Sequence, residues 1–232
     1  MSGQSRSAQR LATVCLLISL FCLSDGIKVS DAQSLRKPVA KYLKLQTPVT
    51  GNWFVLAGPP CPSKTNHHCK INSQKFAYDF IKLDQRGQPT SCLGTTVTSP
   101  TNGTIVTVVD KNPNRVKGKR PTGHPAGNHI VIHRRGTEFV ILAHLSPNTI
   151  QVTVGQKVEM GDPIAECGSS GQATASHVHV HMQTTKEPLD FAATALPMVF
   201  TRTGTITKKG CKSKAFYILK TKDIHCSPTR FQ

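Results

Sequence analysis

Acidic and aromatic residues are scarce in this chain: 12 Asp and Glu stand against 29 Lys and Arg, and Phe, Trp and Tyr make up 6% of its 232 residues. The resulting charge of +17 favours polyanionic partners such as anionic cell-wall polymers, acidic polysaccharide or nucleic acid. With so few aromatics there is no base-stacking platform, and nucleic acid is not an expected partner. No CxxC pair occurs, so a cysteine-based zinc site has no support. Fixed-period repeats and low-complexity blocks are absent, which excludes solenoids and arrays. Helical periodicity is rare, which points to a mainly β chain. Past residue 23 no apolar run approaches the length needed to cross a bilayer.

One apolar run does occur, from Leu11 to Leu23, after Arg6 and Arg10 and before small and polar residues. That three-part pattern predicts a secretory signal peptide over residues 1–26, with cleavage after Gly26 or as late as Ala32. Its loss removes Arg6, Arg10 and Asp25 and leaves a charge of +16. The expected organisation is then a polar leader over 27–48, one domain over 49–195 and a basic C-terminal extension over 196–232. An extracellular location follows, or a periplasmic one in a Gram-negative host. Cys61, Cys69, Cys92, Cys167, Cys211 and Cys226 remain, enough for three disulfides in a secreted chain. Cys61 with Cys69 and Cys211 with Cys226 would each close a short loop. Asn102-Gly103-Thr104 is a glycosylation sequon in a eukaryotic host.

Residues 75–83, 103–109, 129–133, 138–143 and 177–182 are rich in β-branched or aromatic side chains and read as strands. Asn102-Gly103, Arg135-Gly136 and Ser146-Pro147-Asn148 separate several of them as turns. The expected fold is mainly β, a compact antiparallel sheet or open barrel with few helices. Gly155 and Gly161 mark a double turn of the kind found in small barrels, including biotin and lipoyl carriers. The presented lysine such a carrier needs is missing.

In an extended strand alternate side chains share a face, so His177, His179 and His181 point one way and Val178, Val180 and Met182 the other. One histidine on a strand is ordinarily a satisfied polar residue, whereas three in register suggest a metal or acid/base surface. Imidazole suits zinc, and a catalytic zinc takes about three protein ligands and keeps an open position. Asn66-His67-His68, Asp79 and His144 are the other candidates. Taken singly they also read as loop histidines, a strand-end carboxylate and a turn histidine.

Their order, however, resembles that of the lysostaphin-like (LytM-type) zinc endopeptidases over residues 50–190. The resemblance rests on Asn66-His-His-Cys69, Gln74-Lys-Phe-Ala-Tyr-Asp79, Gly127-Asn-His129, Ala143-His-Leu-Ser146, Gly168-Ser-Ser-Gly171 and Ser176-His-Val-His179. It implies a fold of the lysostaphin-peptidase type and one Zn2+ per chain, held by His68, Asp79 and His179. His144 and His177 would be catalytic non-ligands, His177 as the base and His144 on the water or oxyanion, with the roles exchangeable. Ten residues separate His68 from Asp79, more than the usual family pattern. The sequence instead resembles a subset with Asn-x-His before a longer loop, which selects His68 over His67. His181 falls where the family often has an acidic or polar residue, so it is expected to be accessory, as are Asn66 and His67. The implied function is a secreted zinc metallo-endopeptidase acting on peptide cross-links of bacterial peptidoglycan. A non-catalytic wall-, glycan- or partner-binding protein of the same fold is the alternative, and a cationic defence protein is a third.

Overall fold

The computed structural model describes residues 43–59, 66–121 and 123–201. The expected signal peptide and most of the leader and basic extension lie outside these residues, as do Cys61, Cys211 and Cys226 and the pairings assigned to them. In chain order the strands are β1 (Leu43–Gln46), β2 (Trp53–Ala57), β3 (Tyr78–Lys82), β4 (Thr96–Thr98), β5 (Gly103–Val109) and β6 (Asn128–Arg135). They continue with β7 (Glu138–Leu145), β8 (Lys157–Val158), β9 (Pro163–Glu166), β10 (Val178–Gln183) and β11 (Met198–Thr201). Among the described residues the only helical segments are two short 3-10 turns, His67–Lys70 and Asn72–Gln74, and no helix is long and apolar enough to cross a membrane.

Seven strands form one sheet in the order β2-β3-β10-β7-β6-β5-β8, with every neighbouring pair antiparallel. The mainly β, antiparallel expectation is borne out, and all five expected strands are present. β4 and β9 make a small antiparallel pair, while β1 and β11 pair in parallel. That parallel pair joins residues assigned to the leader with residues assigned to the basic extension. Phe200 of β11 packs edge-on against Tyr78 and Phe80, at centroid distances of 5.1 and 5.4 Å.

Alternation sorts the side chains of the central strands. Val178, Val180 and Met182 join Phe80, Ile130, Ile132, Val140 and Leu142 in the hydrophobic core. Each such side chain contributes about 1.5–3 kcal/mol on burial. The small sheet pairs add Leu45, Val97 and Ile164 to the same core. A disulfide between Cys92 and Cys167, 75 residues apart, ties the segment before β4 to the end of β9. Cys69 is disulfide-bonded as well. The opposite face of β10 is also buried, so the histidine row does not face open solvent. That face holds the polar site.

Candidate metal centre and active site

The antiparallel register places His179 of β10 directly opposite Asp79 of β3. Opposed residues share a face, and His179 Nδ1 lies 3.0 Å from Asp79 Oδ1. His68 reaches the same carboxylate from the first 3-10 turn, with Nε2 3.3 Å from Oδ1. Asn66 holds that turn in place: its side chain accepts from the His68 backbone N–H at 3.0 Å and donates to the Gly58 carbonyl at 2.9 Å. His67 sits outside, with a side chain 62% exposed and Nε2 3.5 Å from Asp79 Oδ2. His177 Nε2 completes the ring of imidazoles at 3.6 Å from Oδ1.

Donor chemistry and burial fit a zinc ion. His68 is fully buried, yet neither of its ring nitrogens makes a hydrogen bond. A buried polar atom left in that state costs about 1–3 kcal/mol, a cost that coordination would offset. Ligand atoms of His67, His68 and Asp79 all lie within 4.8 Å of one another. Imidazole nitrogen and carboxylate oxygen are preferred zinc donors. His68, Asp79 and His179 are the inward set, and His67 is the exposed one.

Burial alone would raise the Asp79 carboxyl, but the close approach of His179 and His68 outweighs it and holds the group well below its ordinary range. Burial drives the histidines the other way. It pushes His179 down to about 3 and His181 to about 4. His144 is held well below 6.5 by burial together with the neighbouring His177 and His179. His144, His179 and His181 are therefore neutral rings with lone pairs available at neutral pH.

His144 owes its position to a bulge. Asn128 pairs with Leu145 and Ile130 with Leu142, so Ala143 and His144 together oppose His129 alone. His144 takes φ 63°, a left-handed conformation uncommon for a residue with a Cβ. Its backbone N–H donates to the Ala126 carbonyl at 3.0 Å, and its ring Nδ1–H to the Ser170 carbonyl at 2.9 Å. His177 is fixed the same way, donating Nδ1–H to the Ala175 carbonyl at 2.9 Å. A carbonyl can only accept, so each ring carries a proton on Nδ1, and in the neutral tautomer its lone pair is on Nε2. The rings lie 4.7 Å apart.

Gly168 makes that approach possible. A Cβ there would strike the backbone of Leu145 and Ser146. With hydrogen in its place, residues 167–177 run alongside the end of β7, bridging Leu145 to Cys167 and Gly168 to His177.

His181 is buried behind His179, which contacts it through Nε2 at 2.9 Å. Gln183, also fully buried, follows at 3.0 Å. Gln183 and Ser170 were not among the sequence candidates. The alternation that singled out His177, His179 and His181 extends to Gln183, so that residue had a signal. Ser170 lay within the Gly168-Ser-Ser-Gly171 motif, but its contact with His144 runs through its backbone carbonyl, which no side-chain pattern reports. A cavity of about 330 Å3, lined by Ser91, Leu93, Arg115, Lys117, Ser169 and Ser176 among others, adjoins the His177 segment. Arg115 is braced there by donating to the Ala173 carbonyl at 2.9 Å.

Residues 86–191 match Peptidase family M23. The match includes His144, His177 and His179 and leaves His68 and Asp79 upstream. A stretch of 102 residues is 32% identical to the peptidoglycan DD-endopeptidase ShyA of Vibrio cholerae, covering 44% of this chain and 22% of that protein. The chain thus spans about a fifth of that relative's length. Among solved structures it is similar to a zinc-containing peptidase from Vibrio cholerae (24% identity, 66% of this chain and 40% of the other, TM-score 0.41). It is also similar to the catalytic domain of the antimicrobial peptidase lysostaphin from Staphylococcus simulans (20% identity, 62% and 85%, TM-score 0.38). Over residues 86–191 the chain is thus similar to Peptidase family M23, in keeping with the resemblance read from its motifs.

Proposed function

We propose that this protein is a secreted zinc metallo-endopeptidase that hydrolyses peptide cross-links of bacterial peptidoglycan. One observation carries the reading: His68 and His179 converge on Asp79, while His144 and His177 stand beside them with Nδ1 of each held by a backbone carbonyl. When bound, zinc supplies Lewis acidity, which lowers the pKa of water toward 7 and polarises a peptide carbonyl. His68, Asp79 and His179 would hold the ion. His177 Nε2, 3.6 Å from the Asp79 carboxylate, takes the proton of the attacking water and returns it to the leaving amine. His144, neutral and anchored to Ser170, positions the water or the developing oxyanion. The cavity beside His177 seats the flanking peptide. The expected signal segment and the Cys92–Cys167 disulfide agree with an oxidising, extracytoplasmic location. A surplus of basic residues holds the enzyme on anionic wall polymers.

Mass-spectrometric digestion of purified peptidoglycan and of glycine-rich peptides, with and without a chelator, tests this. Chelator-sensitive release of new amino termini is the expected result. Wall binding with no new termini would make the protein a non-catalytic binder, and lysis that survives chelation would make it a cationic agent.

A further inference from the structure

β10 carries a row of side chains on its site face that continues past the metal centre into the protein. His179 Nε2 lies 2.9 Å from His181 Nδ1, and His181 Nε2 lies 3.0 Å from Gln183 Oε1. The far end of the row fixes its direction. Gln183 Nε2 faces the Thr185 carbonyl at 3.0 Å, the Thr185 hydroxyl at 3.1 Å and the Glu187 carbonyl at 2.5 Å. Carbonyl oxygens only accept, so that atom is the amide nitrogen and Oε1 turns toward His181. His181 must then carry its proton on Nε2, which leaves Nδ1 as an acceptor. His179 donates to that acceptor through its own Nε2–H, and its Nδ1 is left with a bare lone pair facing Asp79.

Counting protons sharpens the point. Three contacts run along this line: Asp79 to His179 at 3.0 Å, His179 to His181, and His181 to Gln183. Two imidazoles with one proton each can satisfy two of them. The contact without a proton is the one at the carboxylate, where a lone pair and an anionic oxygen face each other. That juxtaposition is repulsive unless a cation lies between them. All three residues behind Asp79 are at most 4% exposed, so water does not relieve it.

We propose that His181 and Gln183 are positioning residues that reserve Nδ1 of His179 for the metal, by locking both histidines into the Nε2–H tautomer. The proposal rests on the zinc reading above but not on any catalytic role. Outer contacts of this kind are worth about 10–100-fold in metal affinity. Gln183 anchors the direction and His181 transmits it.

Two measurements test the arrangement. In the zinc-loaded wild-type protein, labelled with 15N-histidine, long-range N–H correlations should place the ring proton of both His179 and His181 on Nε2. A proton on Nδ1 of His179 would overturn the proposal without any variant having to fold. In competition titrations with a chromophoric chelator, His181→Phe and Gln183→Leu should each weaken zinc binding at least tenfold. His181→Gln, which can accept from His179 and donate to Gln183, should recover most of the loss. Wild-type affinity in His181→Phe sinks the proposal alone. A wild-type protein that binds no zinc removes the metal reading together with it.

Discussion

Asp79 and His179, 100 residues apart in sequence, face each other across β3 and β10 with their side chains 3.0 Å apart. Everything else in the candidate site is arranged around that pair. His68 and His177 approach the same carboxylate oxygen from two other segments, and His144 backs His177 from the β7 bulge.

If that carboxylate is the anionic ligand, Asp79→Ala and His179→Ala should each reduce bound zinc from about one per chain to a small fraction. Elemental analysis of dialysed protein reads this directly. Circular dichroism should stay that of a β protein, because both side chains lie on the face away from the main core. Zinc retained in Asp79→Ala would remove that residue from the ligand set.

His177→Ala and His144→Ala should keep the metal and lose turnover. Proton transfer by a positioned side chain contributes about 10²–10⁴-fold, so His177→Ala should fall by that order in kcat with little change in zinc content. Equal hydrolysis by this variant and its parent would show that the base lies elsewhere.

Gly168→Ala should destabilise the fold by about 1–3 kcal/mol, the range for overpacking, since its Cβ would meet the backbone of Leu145 and Ser146. Urea denaturation gives the value. Activity should fall as well, because the same contact sets the spacing of His144 and His177. A variant as stable as the wild type would mean that the strand ends separate without cost.

Acid should weaken the metal-free protein before its carboxylates titrate. Burial holds His129 below its ordinary 6.5, and burial with nearby histidines holds His144 well below it. Below about pH 6.5 the unfolded chain protonates these rings while the folded chain does not, so stability falls as pH drops, at up to about 1.4 kcal/mol per pH unit for each group. Urea midpoints between pH 7.5 and 5 should decline, and His129→Gln should show a shallower decline. Midpoints that rise on acidification would reverse the sign and refute the assignment.

Neutralising Lys117 by Lys117→Ala should raise KM on wall fragments more than it lowers kcat, with the effect shrinking in high salt, since an exposed charge at the cavity acts over about a Debye length. An unchanged KM would place the substrate outside that cavity.

Much of the fold was legible because strand patterns are local. β5 occupies the residues expected of it, 103–109, and alternation along β10 separated the valines that enter the core from the histidines that do not. It could not show that the histidine face would also be buried, since that depends on what packs over it. Gln183 was within reach of the same alternation and was not picked out. The closure of the domain by β1 on β11 had no local signature, as it joins segments about 155 residues apart. The Cys92–Cys167 bridge is of the same kind: with six cysteines, spacing favours short loops, and only proximity in the fold selects a partner 75 residues away.

By itself the sequence determined the chemistry available: a mainly β chain, a row of imidazoles at period two, one carboxylate in an upstream strand and a strong excess of positive charge. Tertiary structure alone decided which of these groups meet. Strand register set Asp79 against His179, a bulge at φ 63° turned His144 into the site, and Gly168 let His177 approach it. Side-chain direction is fixed residue by residue, whereas distances between strands are fixed only when the whole sheet closes.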